Sequence, residues 1–562
     1  MKKFIYILSS ALLLAGCNFL DFDETSSQYD REDMYSTYSN IQKMLTNIYG
    51  YMPYKDIADV SSALRECGID DAEYADPDAS VQRFNNGNWS PVSTVDTKWD
   101  FYNAIRSANE FLESMKTADI SIYQYDSKYN QYMAHIKIYP YEARTLRAYY
   151  LFELARRYGD IPVPLKMLSV EEANSIEKTP FDKVIEFIVS ECDECAENLP
   201  DSYIGMLGDE YGRVTRAFAM ALKTKALLYA ASPLFNTTGD VEKWKAAAEA
   251  AKALIDYSNE KHLFSLDPND TANSSGSPET ILQIMRSESM SFEKYNFPVR
   301  FTQGQKTSMA GTYPTQNLVD AFQTKGGYDI TLDETGWHTD DPDFDLSKPY
   351  EGRDPRFARA ILADGMPFKG STIECYVGGR DYSATRQDLG SPTGYYLRRY
   401  IQSTTDFTPE ANVTNRHSWI VCRYAEIILS YAEALNEYKG PKYTDGTFTL
   451  SATDALNMIR ENAKMPEIDT ADQDAFREAV QREWRVEFAF EDHRFWDVRR
   501  WMIGKDTQTQ IDGVEITLAS GGVKDYKRIM VEKRTWADKM YLYPIPQSEV
   551  FCNPNLTQNP GW

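Results

Sequence analysis

The sequence predicts a mostly α-helical protein, built as a tetratricopeptide-like scaffold of helix pairs with long irregular loop insertions and minor β structure. Three observations support this class. Apolar residues recur at spacings of three and four over successive segments, which is the periodicity of one helical face. Most of these segments form pairs separated by a loop, as in helical-repeat proteins. Long stretches between the pairs lack this periodicity and are rich in Gly, Asp, Asn and Pro.

The predicted helices follow one another along the chain. An early example carries Ala143, Leu146, Tyr150 and Leu154 on one face and ends before Gly159, a residue that commonly terminates helices. Two later segments are rich in Ala, and small side chains let neighbouring helices approach closely. The longest predicted helix is the last of the set, which comprises 142–158, 181–199, 215–231, 244–257, 422–438, 452–463 and 474–501.

Three stretches do not fit helices. They cover 68–95, 262–311 and 326–409, with a short β-like run from Thr280 to Met285. Irregular segments of this length in a compact protein usually carry function. We therefore expect the ligand site in these insertions.

Composition and charge exclude several classes of protein. The chain has 562 residues, with 60 Lys and Arg against 84 Asp and Glu, and a formal net charge of −24. A hydrophobic fraction of 42% is typical of a globular protein. Phosphate contacts need a basic surface, so the acidity argues against nucleic-acid binding. It argues equally against adsorption onto anionic lipid through a polybasic patch.

The first residues have the pattern of an export signal. A basic start precedes an apolar run that ends at Leu14 and is too short to span a bilayer as a mature helix. The run continues into Ala-Gly-Cys17, which resembles the bacterial lipobox, in which the Cys becomes the lipidated N-terminus. We expect a lipoprotein signal peptide over 1–16, lipidation at Cys17 and a lipidated N-terminal tether over 17–30. No other stretch is long and apolar enough to cross a membrane.

The cysteine pair Cys192 and Cys195 has the C-x-x-C spacing of redox and zinc sites. Both residues lie on a predicted helix, no second C-x-x-C exists, and none of the five His is close in sequence. We therefore interpret them as buried thiols.

An alternation of Arg and acidic residues runs from Arg482 to Arg500. Its members Glu487, Glu491 and Asp492, with His493, could serve acid–base chemistry. The alternation has helical spacing, however, which is typical of ion pairs within and between helices. We interpret the cluster as structural.

Metal and catalytic motifs are not evident. Asp341, Asp343 and Asp345 have the odd-position spacing of a calcium loop, but Leu346 and Gly352 stand where the loop needs Gly and Glu. No nucleophile elbow, phosphate-binding Gly loop or His-Glu-x-x-His helix occurs. The sequence predicts no metal site, no cofactor and no catalytic residue.

A sugar-binding site can be predicted from chemistry alone. A pyranose has an apolar C–H face that stacks on Trp or Tyr, while its hydroxyls need partners such as Asp, Asn and Arg. The predicted loop 83–89 supplies Arg, Asn and Trp, and the acidic Asp70 and Asp71 precede it. Trp99, by contrast, lies on a predicted helix and is expected to pack in the core. The predicted ligand-binding residues are Asp70, Asp71, Arg83, Asn86, Trp89, Tyr313 and Trp337.

Ordered sequence blocks resemble a known family. The blocks are Trp99–Leu112, Glu142–Pro162, Gly212–Leu234, Tyr313–Phe322, Arg353–Phe357, Arg423–Ala434, Glu487–Asp497 and Asn553–Trp562. In this order, and together with the lipobox, they are similar to the SusD/RagB family of outer-membrane nutrient-binding lipoproteins. The resemblance implies four tetratricopeptide-like helix pairs, no enzymatic activity and a surface-exposed, lipid-anchored location on the outer membrane. It also implies a SusC-like TonB-dependent transporter as partner, over which the protein sits as a lid.

The family resemblance also suggests organisation and function. We expect a SusD-like N-terminal half over 31–290 and a SusD/RagB-like C-terminal half over 291–562, which together form one compact body. Most members of the family bind glycans, so we expect capture of an oligosaccharide or polysaccharide and its delivery to the transporter. Three alternatives remain open at this point: peptide binding of the RagB type, a surface glycoside hydrolase, and a scaffold whose only partner is protein.

Overall fold

A computed structural model describes residues 34–52, 59–60, 62–208, 210–269, 276–383 and 389–562. The predicted signal peptide, Cys17 and the tether lie outside these residues. The described chain contains ten helices of seven or more residues. They are α1 Tyr38–Tyr49, α2 Phe101–Ser114, α3 Tyr129–Tyr158, α4 Phe181–Asn198, α5 Arg216–Ala231, α6 Val241–Lys261, α7 Tyr424–Lys439, α8 Ala452–Asn462, α9 Gln473–Glu487 and α10 Arg494–Arg500.

Most helices that follow one another in sequence also pack against one another. α1 and α2 contact each other and α3, and the contacts continue from α3 to α4, α5, α6 and α7. α7 then packs against α8 and α9. This successive pairing is the tetratricopeptide-like arrangement, and the predicted fold class is confirmed.

Most predicted helices are confirmed, with shifted ends. α3 begins earlier than predicted and contains Pro140. It is 30 residues long, which at 1.5 Å per residue spans about 45 Å. It ends where Gly159 takes a φ of 72° and its N–H donates to the carbonyl of Ala155, a left-handed stop that Gly adopts without strain.

The prediction of one continuous helix over 474–501 is wrong. The chain ends α9, breaks, and resumes in α10. Inside the break, Phe490 and Asp492 take φ angles of 65° and 64°, which a right-handed helix cannot contain. The break brings Glu491 to 2.9 Å from Arg423. Pairing of these buried charges therefore overrides the helical periodicity of the sequence.

The strands form small antiparallel pairs. Strand β2, Thr280–Ser289, contains the predicted β-like run and pairs with β6, Asn415–Arg423, so the two predicted halves share a sheet. Three further pairs are only two residues long on each side: Asp59–Val60 with Ala63–Leu64, Ile361–Leu362 with Tyr396–Leu397, and Pro367–Phe368 with Ser371–Thr372. The longer strands are β1 Ala72–Tyr74, β2 Thr280–Ser289, β3 Thr312–Pro314, β4 Ile330–Leu332, β5 Trp337–Thr339, β6 Asn415–Arg423, β7 Gln510–Leu518 and β8 Lys524–Lys533.

One large hydrophobic core includes residues from both ends of the described chain, such as Trp89, Tyr158 and Tyr543. Cys192 and Cys195 are buried and unpaired, which confirms their interpretation as buried thiols. In the described segments no helix combines the length and apolar character needed to cross a membrane.

Arg423 is a buried arginine that binds three carboxylates. Its Nη1 lies 2.9 Å from Glu279 and 2.8 Å from Glu487, and its Nε lies 2.9 Å from Glu491. Burial alone would raise the pKa of Glu487, but Arg423 and Arg356 outweigh burial and lower that pKa to about 2. The carboxylate stays charged at neutral pH, and the structural interpretation of this cluster is confirmed.

We expect Arg423→Gln to lower the free energy of unfolding by about 3–5 kcal/mol, because buried carboxylates lose their cation. Urea denaturation followed by circular dichroism measures the change. The matched control is Arg482→Gln, since Arg482 pairs with Asp329 on the surface and exposed pairs contribute about 0–1 kcal/mol. Equal losses in the two variants would contradict a dominant role for the buried pairs.

Candidate functional site

Trp89, the centre of the predicted sugar site, lies in the core. It is 3% exposed, and the ring centroids of Phe84, Tyr543 and Trp562 lie within 5.0 Å of its own. The C-terminal segment, which ends at Trp562, covers the loop that carries Trp89. No ring face remains for a sugar, and the predicted role of Trp89 is corrected on this ground.

Tyr313 and Trp337 are also buried, at 1% and 6% exposure. The Tyr313 hydroxyl accepts a hydrogen bond from Lys306 Nζ at 2.7 Å. Trp337 packs at 85° against Tyr350, and the guanidinium of Arg353 lies 5.5 Å from its ring centroid. The irregular insertions therefore turn these rings inward, where they cannot serve as platforms for a sugar.

Asp70 and Asp71 bind arginines of the C-terminal part of the chain. Arg485 and Arg494 each lie 2.9 Å from Asp70, and Arg485 lies 2.6 Å from Asp71. Burial raises the pKa of each acid. For Asp70 the two arginines outweigh burial and lower the pKa to about 2, whereas for Asp71 burial prevails and the pKa is raised. These carboxylates serve buried ion pairs.

Arg83 and Asn86 lie nearer the surface. Arg83 donates to the carbonyl of Thr94 at 2.6 Å, while Asn86 is exposed and its Oδ1 accepts from the N–H of Asn88 at 3.0 Å. The other five predicted residues are buried. The structure therefore does not bring the seven predicted residues together on one accessible surface.

A cleft of about 250 Å³ opens beside the N-terminal end of α2. We call it the α2 cleft. One wall is the face of α2 and the turn before it. A second wall is a surface segment over 162–176, called the strap below, and a third is the C-terminal segment 549–556.

The α2 wall presents two aromatic rings followed by two polar side chains. Trp99, Tyr102, Arg106 and Asn109 are spaced by three, four and three residues, which places them on one side of the helix. The ring centroids of Trp99 and Tyr102 lie 5.0 Å apart, and Trp99 also packs edge-on against Tyr158. Both cleft rings are partly exposed. The expectation that Trp99 belongs to the core is therefore met only in part.

The strap is fixed to the other two walls by hydrogen bonds. The Tyr102 hydroxyl donates to the carbonyl of Pro162 at 3.1 Å, and Asn109 Nδ2 donates to that of Pro164 at 2.9 Å. On the opposite wall, Asn553 Nδ2 donates to the carbonyl of Ile176 at 2.8 Å. The cleft is thus held open by contacts that do not require a ligand.

Several polar groups of the cleft have no protein partner. Within the described residues, the side chains of Asn103, Arg106 and Asn174 make no hydrogen bond to the protein. Burial, and secondly the charge of Glu549, raise the pKa of Tyr102 well above its usual value, so its hydroxyl stays protonated as a donor. Aromatic rings beside free amide and guanidinium groups are the chemistry that a sugar needs.

The sequence contained a signal for only one wall of this site. The spacing of Trp99, Tyr102 and Arg106 is visible in the sequence, but on an isolated helix it is equally typical of core packing. The strap and the C-terminal wall lie far from α2 in the chain, and their approach depends on hydrogen bonds from Asn109 and Asn553 that no local pattern reveals.

The row of paired helices, together with a polar aromatic cleft, defines a helical-repeat protein with a candidate ligand-binding cleft. The chain belongs to the SusD family: residues 263–562, more than half of its length, match the family model described as SusD family. The resemblance inferred from the sequence is confirmed. Residues 1–18 match the model for a prokaryotic membrane lipoprotein lipid attachment site.

Similar proteins cover most of the chain. SusD-like protein P2 of Formosa agariphila is 26% identical over 438 residues, which cover 75% of this chain and 73% of the relative. SusD-like protein P38 of the same organism is 23% identical over 541 residues, or 92% and 95% of the two chains.

Solved structures share the fold. A SusD-like protein from Bacteroides fragilis superposes with a TM-score of 0.76 at 26% identity, covering 96% of this chain and 99% of that chain. A SusD-like carbohydrate-binding protein from Bacteroides fragilis has a TM-score of 0.73 at 24% identity, covering 93% and 100%. A laminarin-binding SusD-like protein has a TM-score of 0.59 at 21% identity, covering 93% and 99%.

We expect Trp89→Ala to lower the free energy of unfolding by about 3–5 kcal/mol, the usual effect of removing a buried Trp. Thermal unfolding followed by fluorescence or calorimetry measures it. Asn86→Ala, on the same loop but exposed, should stay within about 0.5 kcal/mol of the parent protein. Unchanged stability in Trp89→Ala, with loss of sugar binding, would restore the role predicted from the sequence.

Proposed function

We propose that the protein is a cell-surface lipoprotein that captures an oligosaccharide or polysaccharide in the α2 cleft and delivers it to a SusC-like TonB-dependent transporter. The observation that carries the proposal is the joint presence of the partly exposed Trp99 and Tyr102 rings and the unpaired side chains of Asn103, Arg106 and Asn174 around one cleft. The rings supply stacking for a C–H face, and the polar groups replace water around the hydroxyls.

Relatives support a glycan as the ligand. One similar structure is that of a SusD-like carbohydrate-binding protein, and another is that of a laminarin-binding SusD-like protein. Both share the overall fold of this chain, with TM-scores of 0.73 and 0.59. The volume of the cleft, about 250 Å³, suits a short stretch of a glycan chain, with the remainder of a longer polymer outside.

The N-terminus supports the proposed location. The match to a lipid attachment site over residues 1–18 includes Cys17, and lipidation there would hold the protein at a membrane surface. We place that surface on the outside of the outer membrane, with the transporter barrel as partner, because the chain belongs to the SusD family.

The buried charges favour binding over hydrolysis. A glycosidase needs one carboxyl group that is protonated near neutral pH and a second that is ionised, both beside the sugar. Glu487 and Glu491 are instead paired with Arg423. Burial, followed by the positive charges of Lys225 and the neighbouring arginines, lowers the pKa of His493 well below its usual value. These groups therefore serve the fold, which supports binding rather than hydrolysis as the proposed function.

We expect Trp99→Ala to weaken glycan binding at least tenfold, which corresponds to about 1.4 kcal/mol, because the sugar loses its stacking surface. Affinity electrophoresis in gels containing plant, microbial and host polysaccharides identifies the ligand, and calorimetry measures the change. Tyr125→Ala is the matched control, since Tyr125 is exposed and lies outside the cleft.

Three outcomes discriminate among functions. Retention of peptides with no retention of any polysaccharide would replace glycan capture by peptide capture. Release of reducing sugar by the purified protein would replace binding by hydrolysis. Undiminished glycan affinity in a folded Trp99→Ala variant would remove the α2 cleft from the proposal, and the melting temperature of that variant shows whether it is folded.

We expect Cys552 to report on occupancy of the cleft. Among the described cysteines it alone is exposed, and it lines the α2 cleft. It should react with maleimide at once, and bound glycan should slow the reaction severalfold. Burial raises the pKa of the other described thiols, for example Cys67 and Cys192, so they should react only on unfolding. Cys552→Ser should abolish the rapid phase, and a rate that saturating ligand does not change would place the ligand elsewhere.

A further inference from the structure

Arg106 differs from the buried arginines of the molecule. Arg423, Arg356, Arg494 and Arg500 each hold one or more carboxylates. In the described chain the guanidinium of Arg106 meets no carboxylate and donates no hydrogen bond, although it lines a cleft. Its five N–H donors are therefore available to a ligand.

The local charge of the cleft contrasts with the charge of the whole protein. The lining includes two cations, Arg106 and Lys166, and one acid, Glu549. The whole chain, by contrast, has a formal net charge of −24. Lys166 itself pairs with Glu172 at 2.6 Å, so Arg106 is the lining cation without an ion-pair partner, and Glu549 is the acid that remains in the lining. Charges farther away than about 8 Å are screened at physiological salt. An anion in contact with Arg106 therefore interacts with the guanidinium directly, while the remote acids of the body are screened.

Arg106 lies where it would meet a second sugar of a bound glycan chain. The first sugar is the one that stacks on Trp99 and Tyr102. Arg106 follows Tyr102 by four residues, which is about 6 Å along the helix axis, and both face the same wall. A sugar ring held against Trp99 and Tyr102, whose ring planes are tilted by 60° to each other, would therefore place its neighbour in the glycan chain over Arg106. A guanidinium binds carboxylate and other oxyanions through two parallel hydrogen bonds.

We propose that the α2 cleft selects an anionic glycan, with Arg106 pairing with a carboxylate or sulfate group on the sugar next to the one that stacks on Trp99 and Tyr102. The inference rests on the proposed capture of glycan in this cleft and names the class of glycan captured. A uronic acid and a sulfate ester supply the same oxyanion chemistry, and the experiment separates these two sources.

The test uses polysaccharides in matched acidic and neutral forms. Polygalacturonate and alginate are compared with their carboxyl-reduced products, and a sulfated galactan and a sulfated fucan with their desulfated products, together with the neutral glucan laminarin. We expect the protein to bind the acidic member of at least one pair ten times more tightly than the neutral member. That preference should shrink as salt is raised, and the pair that shows it identifies carboxylate or sulfate as the group.

Arg106→Gln should reduce the ratio of acidic to neutral affinity at least tenfold, so that the variant binds both members alike. Its melting temperature should stay that of the parent protein. Arg416→Gln is the matched control, because Arg416 is also exposed and without a side-chain partner in the described chain but lies on β6 outside the cleft. Equal binding of both members by the parent protein, or an unchanged preference in Arg106→Gln, overturns the inference and leaves glycan capture standing. Failure to bind any of these polysaccharides overturns both.

Discussion

Buried arginine–carboxylate pairs between the two ends of the chain are the constraint on which the rest of the structure depends. Arg485 reaches Asp71 across 414 positions of sequence, Arg494 reaches Asp70 across 424, and Arg534 reaches Glu73 across 461. All of these groups are largely withdrawn from water. A charge left alone in such a place destabilises a protein far more than the pair stabilises it, so the two segments must close on each other in one register.

This closure assembles the α2 cleft. Once the C-terminal segment lies against the loop at residues 70–89, Trp562 and Tyr543 enclose Trp89. The same segment then passes α3 and the strap, where Asn559 binds the carbonyl of Tyr158 and Asn553 that of Ile176. The third wall of the cleft is therefore a consequence of the core, and its shape does not depend on a ligand.

The sequence predicted the helices well, because amphipathic periodicity is a local property that burial preserves. It failed at 474–501, where the periodicity is just as regular. There Phe490 and Asp492 take left-handed conformations so that Glu491 can join Arg423 and Arg399. Leaving these buried charges unpaired would cost more free energy than interrupting a helix for a few residues. No local sequence pattern reveals this cost, because the partners lie in distant segments.

The sequence by itself determined the helical-repeat class, the SusD family and the kinds of residue that a sugar site needs. Only the tertiary structure decided which aromatic rings are accessible. Trp89, Tyr313 and Trp337 stand in irregular stretches yet are buried, while Trp99 and Tyr102, in a helical block, line the cleft. Exposure of a ring depends on what folds over it, and over Trp89 the cover comes from Tyr543 and Trp562, hundreds of residues away in the sequence.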